Sequence, residues 1–344
     1  MYPTLLAYIK DYPHLQPADL LKFCFQSVFG PGHMAPGREM AKARIEAELE
    51  SAGLPSDGQP VVLPLEGDAA RLDIGCGISP MRLAALFCRT ADLWPKKPDG
   101  VSEVLAMLND AEIRASLPFD GAELDACIAA WQEKGCPAVS HSDHYKAHYR
   151  ANYRLVDKKY LPYLEAIRAI EGLRKPAVVA IDGRCGSGKS TMAQVLADVF
   201  SASLVHMDDF FLPFEQKTPE RLAQPGGNVH YERFNEEVAP KLRSGEDFAY
   251  NVFDCSVGHL NGTQAVEKND LIIVEGSYCQ SPDVDFDYDL RIFVDIDPEL
   301  QIERIAKRNP DMVENFRNRW IPMEEHYFLA FGIKEKADIV VRTV

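Results

Sequence analysis

Beyond Ala177 the chain alternates between two kinds of hydrophobic pattern. Short, nearly continuous apolar runs rich in β-branched residues, AVVAIDG, SLVHMDDF, LIIVEGS, LRIFVDID and ADIVV, are separated by stretches with helical spacing such as STMAQVLADVF. Strands that are apolar on both faces and joined through helices predict a parallel sheet with flanking helices, an α/β architecture. Residues 1–170 follow another rule. PADLLKFCFQSVF, REMAKARIEAELESAG, SPMRLAALFCRTADLW, VSEVLAMLNDAEIRASL and GAELDACIAAWQEKG all carry helical periodicity between turn-rich connectors, which predicts a mostly helical N-terminal domain. A further helix is expected over DKKYLPYLEAIRAI, stopped by Gly172 and Pro176 in EGLRKPA. The expected division is therefore 1–173, a helical domain, and 174–344, an α/β domain.

Composition narrows the partners. The 344 residues carry a formal net charge of −15, whereas nucleic acids and anionic membranes attract proteins with a basic face. Neither is expected as a partner, and any phosphate site must be local. There is no long apolar run, and the N-terminal MYPTLLAYIKDYPHLQ lacks the basic start and apolar core of a signal peptide, so a cytoplasmic protein is expected. Eight scattered cysteines form no C-x-x-C pair, which argues for reduced thiols rather than zinc knuckles or a disulfide framework.

The sharpest chemical signal sits where the first strand of the α/β half ends. Gly183-Arg184-Cys185-Gly186-Ser187-Gly188-Lys189-Ser190, followed by Thr191, fits G-x-x-x-x-G-K-[ST] between a strand and a helix. Glycines let backbone amides curl around a phosphate, and the following helix presents its positive N-terminal end. Lys189 reaches the outer phosphates, and the Ser190 hydroxyl suits Mg2+. The fold expected here is thus of the P-loop NTPase type, with ATP and Mg2+ as cofactors. The next strand ends in VHMDDFFLP. Asp208, at the carboxyl end of the strand expected beside the P-loop, sits where an acceptor hydroxyl would meet the γ-phosphoryl group. There it accepts the proton or orients the hydroxyl during in-line transfer.

Taken together, GRCGSGKST, VHMDDFFLP, GGNVHYERF, LIIVEGSY and RIFVDIDPELQIERIAKRN resemble the uridine kinase and phosphoribulokinase-like group of P-loop kinases, which also includes the nicotinamide riboside kinases. The resemblance covers about residues 176–344, including the tail RWIPMEEHYFLAFGIKEKADIVV. It implies Asp208 as catalytic base, with Glu275 beside the metal along with Ser190 and Asp208. It also implies an arginine-rich lid over the transferring phosphate, for which Arg304 and Arg308, four apart on one helical face, are the catalytic candidates. Lys307, Arg317 and Arg319 lie in the same region. The acceptor side departs from the family: where uridine kinases have N-F-D-H-P, this chain reads NVHYERF, with His230 in the aspartate's place, and the Tyr-Asp pair appears as Phe253-Asp254. Asp209, His230, Tyr231 and Asp254 remain the substrate-binding candidates, and His259 is the nearest equivalent of a base-contacting histidine. A small molecule bearing a hydroxyl, such as a nucleoside or another ribosyl compound, is the expected substrate. The competing reading is a nucleotide-dependent regulatory module without an acceptor, which has no need of a base at Asp208.

The N-terminal half has its own candidates. RLDIGCGIS, residues 71–79, has the D-x-G-x-G of a methyltransferase loop but not the repeated strand–helix units of that fold, and reads better as a loop entering a helix capped by Ser79. In SHSDHYKAHYRANYRLV, a continuous helix would align His141, His144 and His148 on one face with the neighbouring tyrosines, as a metal site, a polar ligand pocket in which Tyr145, Tyr149, Arg150, Tyr153 and Arg154 offer stacking surfaces and anion donors, or an interface. His33, in the tight loop SVFGPGHMAPG, is a candidate for the same pocket. Regulation, self-association into a homo-oligomer and a second ligand site are the roles open to this half.

Overall fold

The computed structural model describes residues 1–32, 35–55 and 58–343, so His33 lies outside the described residues. The chain divides into two compact units, Met1–Leu161 and Pro162–Val344. Residues 162–173 thus lie with the second unit.

The first unit contains helices α1 (Pro3–Asp11), α2 (Pro17–Phe29), α3 (Arg38–Ala52), strands β1 (Val62–Pro64) and β2 (Ala69–Asp73), then α4 (Pro80–Leu93), α5 (Gly100–Leu108), α6 (Ala111–Ala115), α7 (Gly121–Glu133), α8 (Asp143–His148) and β3 (Tyr153–Asp157). The helices α2 to α7 were legible in the sequence, with α5 and α6 expected as one stretch, whereas α1 was not expected. The antiparallel sheet β1-β2-β3 was not, because its central strand AARLD is short and alanine-rich. Leu5, Tyr8, Phe23, Val104, Leu124, Trp131 and Leu155 belong to one buried cluster in this unit. After β2 the chain turns into α4, where the Ser79 hydroxyl accepts from the Arg82 N–H as an N-cap. β2 pairs antiparallel on both sides, whereas a methyltransferase loop follows a strand of a parallel, doubly wound sheet.

The second unit opens with a 3-10 turn over Lys158–Tyr163 that runs across the unit boundary into α9 (Leu164–Gly172); Pro162 lies in that turn. There follow β4 (Ala177–Gly183), α10 (Lys189–Phe200), β5 (Ser203–His206), α11 (Pro219–Leu222), α12 (Tyr231–Glu237), the hairpin β6 (Phe248–Asp254) and β7 (His259–Val266), β8 (Leu271–Glu275), β9 (Leu290–Asp295), α13 (Pro298–Arg308), α14 (Val313–Asn315), α15 (Ile321–Phe331) and β10 (Ile339–Arg342). Five strands form one sheet in the order β10-β9-β4-β8-β5, every neighbouring pair parallel. β4 and β8 are buried at every position, as their unbroken apolar runs require. One detail differs from the sequence expectation. The strand carrying Asp208 is not beside the P-loop strand, because β8 lies between β4 and β5. Register then places Ile181, Glu275 and His206 in one row across the three strands.

Candidate functional site

The site is built at the carboxyl ends of β4, β8 and β5. Where β4 ends, Gly183 faces Val294 of β9, and a Cβ there would lie 2.2 Å from the Val294 carbonyl oxygen. Gly188, at φ +91°, turns the chain in a left-handed conformation into α10. Between them the loop is held from outside. The Gln301 side chain of α13 donates to the Cys185 carbonyl at 2.9 Å. The Thr343 hydroxyl donates to the Ser187 carbonyl at 2.8 Å. Arg184 pairs with Asp295 and, at 2.6 Å, with Glu325.

Lys189 is buried, 9% exposed. Burial disfavours its charge, but Glu324, Asp208 and Glu275 outweigh that cost and hold its pKa above the usual lysine value. Ser190 and Thr191 are exposed on the first turn of α10. The Ser190 hydroxyl donates to Glu275 Oε2 at 3.0 Å, while His206 Nδ1 donates to Oε1 of the same carboxylate at 2.6 Å. The Glu275 hydrogen bond raises the His206 pKa. Asp208 follows β5 in a 3-10 turn over Met207–Phe210. The residue as a whole is exposed. Desolvation is the largest influence and raises its pKa, Lys189 opposes that rise, and Glu275, Glu324 and Asp209 add to it. Asp209 accepts from the Tyr250 hydroxyl at 2.8 Å, and its backbone carbonyl accepts from Arg233.

Three participants carried no motif. Asp182, fully buried one residue before the loop, accepts from the Gly183, Tyr278 and Gln280 amides and from the Tyr327 hydroxyl. Burial is the largest influence on its pKa, which is pushed up to about 6. Glu324 comes from α15, accepting from the Cys185 amide at 2.9 Å and the Ser277 hydroxyl at 2.7 Å. His206 is the third. The strand-end histidine was visible in VHMDD, but a motif that singles out the acids gives it no role.

The remaining sequence candidates have diverse surroundings. Arg304 of α13 donates to the Thr343 hydroxyl at 3.2 Å, one hydrogen bond removed from the P-loop. Arg308 is exposed and bonds Asn309, and Arg317 pairs with Glu314. Tyr231 is 3% exposed and packs within the hydrophobic core with Phe210, Phe234 and Tyr278. His230 Nδ1 is buried without a hydrogen-bond partner among the described residues, and burial lowers its pKa. Asp254 ties its own hairpin together, accepting from the Ser256 amide and hydroxyl and from Asn261. Those bonds, Ser256 first, hold its pKa down at about 2. In the first unit, Ser142 caps α8, so His141 precedes the helix and does not share a face with His144 and His148. It is buried instead, donating from Nδ1 to Asp19 at 2.9 Å and accepting at Nε2 from the Tyr153 hydroxyl at 2.7 Å. Arg154 pairs with Glu48 at 2.7 Å and Arg150 with Asp73 at 3.3 Å.

The donors fit the groups a P-loop takes. Ser187 Oγ is buried without a partner among the described residues. The carboxylates around one lysine leave negative charge that a hard cation would balance. Ser190, Glu275 and Asp208 offer oxygen only, the donor type magnesium prefers.

No family model matches the chain. Among curated proteins, the uridine kinase of Clostridium botulinum (strain Okra) is 27% identical over 190 residues, covering 49% of this chain and 89% of its own. The uridine kinase of Geobacillus kaustophilus is 29% identical over 190 residues, with 49% and 86% covered. A solved structure of a possible uridine kinase from Bacillus stearothermophilus aligns with TM-score 0.41 at 19% identity, covering 52% of this chain and 96% of that one. The similarity to uridine kinases extends over about half of the chain.

Proposed function

We propose that the second unit transfers the γ-phosphoryl group of ATP to a hydroxyl of a small metabolite, a nucleoside or another ribosyl compound. The observation that carries this reading is the convergence of Lys189, Ser190, Glu275 and Asp208 at the carboxyl ends of three neighbouring strands. The P-loop amides and Lys189 bind and orient the phosphates, and the closely held loop keeps them there. Ser190 and Glu275, with Asp208 nearby, would hold Mg2+, which would supply positive charge against the phosphates. Asp208 takes the proton of the acceptor hydroxyl while that oxygen bonds to the γ-phosphorus and the bond to the β-phosphate oxygen breaks, which yields ADP and a phosphomonoester. A base whose pKa is lifted toward the working pH is better matched to this step than an ordinary aspartate. Arg304 is the nearest lid candidate for stabilising the transferring group.

The test is a screen of nucleosides and sugars for ATP-dependent phosphorylation, followed by Asp208→Asn on the best acceptor. Turnover should fall about 10²–10⁴-fold, the usual size of a lost general base, while ATP still raises the melting temperature. ATP binding with no acceptor phosphorylated across the screen would favour a regulatory nucleotide module. Full activity of Asp208→Asn would remove the base from Asp208.

A further inference from the structure

Sequence spacing grouped His141, His144 and His148. The fold breaks that trio and assembles another. His141 turns inward to Asp19, and its place beside His144 and His148 is taken by His14, from the turn between α1 and α2. One ring nitrogen from each of the three lies within 4.8 Å of the others, and all three side chains are exposed.

The local order exceeds what three solvated histidines require. His148 Nδ1 donates to the His144 carbonyl at 2.9 Å. Ligating histidines are commonly fixed in this way through the second nitrogen, and it leaves Nε2 of His148 as the free donor. His144 and His148 stand four apart on α8, on one helical face. The His14 amide donates to the Tyr149 hydroxyl at 2.9 Å, which pins the turn to the end of α8. The Tyr12 ring lies 4.7 Å from the Tyr149 ring and supports the same contact. The imidazoles gather with centroids 4.1 Å apart for His14 and His148 and 4.3 Å for His144 and His148. Beside them, Lys146 pairs with Asp143 at 3.0 Å.

We propose that His14, His144 and His148 form a binding site for one divalent transition-metal ion of the zinc class on the first unit. Three imidazole nitrogens suit zinc, cobalt, nickel or copper and disfavour magnesium. Bonds of about 2.0–2.1 Å to zinc need the three nitrogens somewhat closer together than they now lie, a change within reach of exposed side-chain rotation. The set leaves a fourth position for water or an outside ligand, as in open three-histidine sites. The ion would tie the first turn of the chain to α8, so binding should also stabilise this unit.

The test uses the full chain in saturating Mg2+ and ATP, so that oxygen-lined sites are already filled, and titrates Zn2+ by calorimetry and Co2+ by visible absorption. One equivalent should bind, with nitrogen-ligand d–d bands and a raised melting temperature. His14→Ala and His148→Ala should each weaken binding by at least about 100-fold and remove the melting shift. His144→Asn, closer in size, should act the same way, and circular dichroism confirms that the variants fold. Undiminished binding in the histidine variants, a thiolate charge-transfer band, or affinity no better than millimolar would overturn the proposal.

Discussion

Replacing Gly183 by alanine tests whether the P-loop is held by the strand behind it. The new Cβ would lie 2.2 Å from the Val294 carbonyl oxygen, 2.8 Å from its nitrogen and 2.9 Å from its carbonyl carbon. All three neighbours are backbone of the buried strand β9, so no flexible side chain can yield. Gly183 also has φ +146°, a conformation that costs a residue with a side chain about 1–3 kcal/mol. Forcing atoms into a packed interior adds about 1–3 kcal/mol more. At about 2–4 °C per kcal/mol for a unit of this size, the melting temperature of the second unit should fall by roughly 5–20 °C. Gly245→Ala is the matched control: φ is +73°, but nothing lies within 4 Å of its Cβ, so only the conformational cost applies. Calorimetry on the full chain, with the transition that shifts on adding ATP assigned to the second unit, gives both numbers. Equal losses for Gly183→Ala and Gly245→Ala would refute the claim that β9 sets the position of the loop.

Three other outcomes are expected. Lys189→Ala should remove nearly all phosphoryl transfer, because one buried cation facing the outer phosphates typically contributes several kcal/mol of transition-state stabilisation; near-normal turnover would contradict the P-loop assignment. In the first unit, burial holds the His141 pKa down at about 4. The unfolded chain, at an ordinary value near 6.5, therefore binds more protons between these pH values, and stability should be complete above about pH 6.5 and decline toward pH 4. His141→Gln should flatten that decline in urea melts, and an unchanged slope would assign it to other groups. A fragment of residues 162–344 should fold and bind ATP, whereas one beginning at 174 loses α9 with its buried Leu164, Ala166, Ile167 and Ile170 and should melt lower; equal melting would place α9 outside the second unit's core.

What the sequence revealed depended on how locally each feature is determined. The strands of the parallel sheet announce themselves because β4 and β8 are buried on both faces and leave unbroken apolar runs, whereas the largely exposed β7 of the hairpin carries no such signal. The loop from Gly183 to Ser190 needs only neighbouring residues to adopt its turn, so its pattern is self-contained. Glu324 and His206 were not legible, because their roles come from elements far apart in the chain meeting at one loop and one carboxylate. Tyr231 looked like a polar contact residue, yet its ring fills space beside Phe210 and Phe234, a choice that tertiary packing makes. The histidines of the first unit show the same limit from the other side. Spacing assumed one continuous helix, but Ser142 starts α8 after His141, and the partner of His144 and His148 arrives from residue 14.

The placement of β8 between β4 and β5 bears on how the chain acquires its site. β5 does not pair with β4 directly, so the edge of the sheet depends on Leu271–Glu275 inserting between them, with the β6–β7 hairpin intervening in the chain between β5 and β8. Pairing strands so far apart in the chain is non-local, the kind of contact that slows folding. The same pairing delivers Glu275 to Ser190 and His206, so the insertion of β8 and the completion of the carboxylate cluster are one step. During refolding, recovery of Mg2+-dependent nucleotide binding should therefore track burial of β8 rather than the earlier gain of helix, and partly folded chains should carry a P-loop without the carboxylate that faces it.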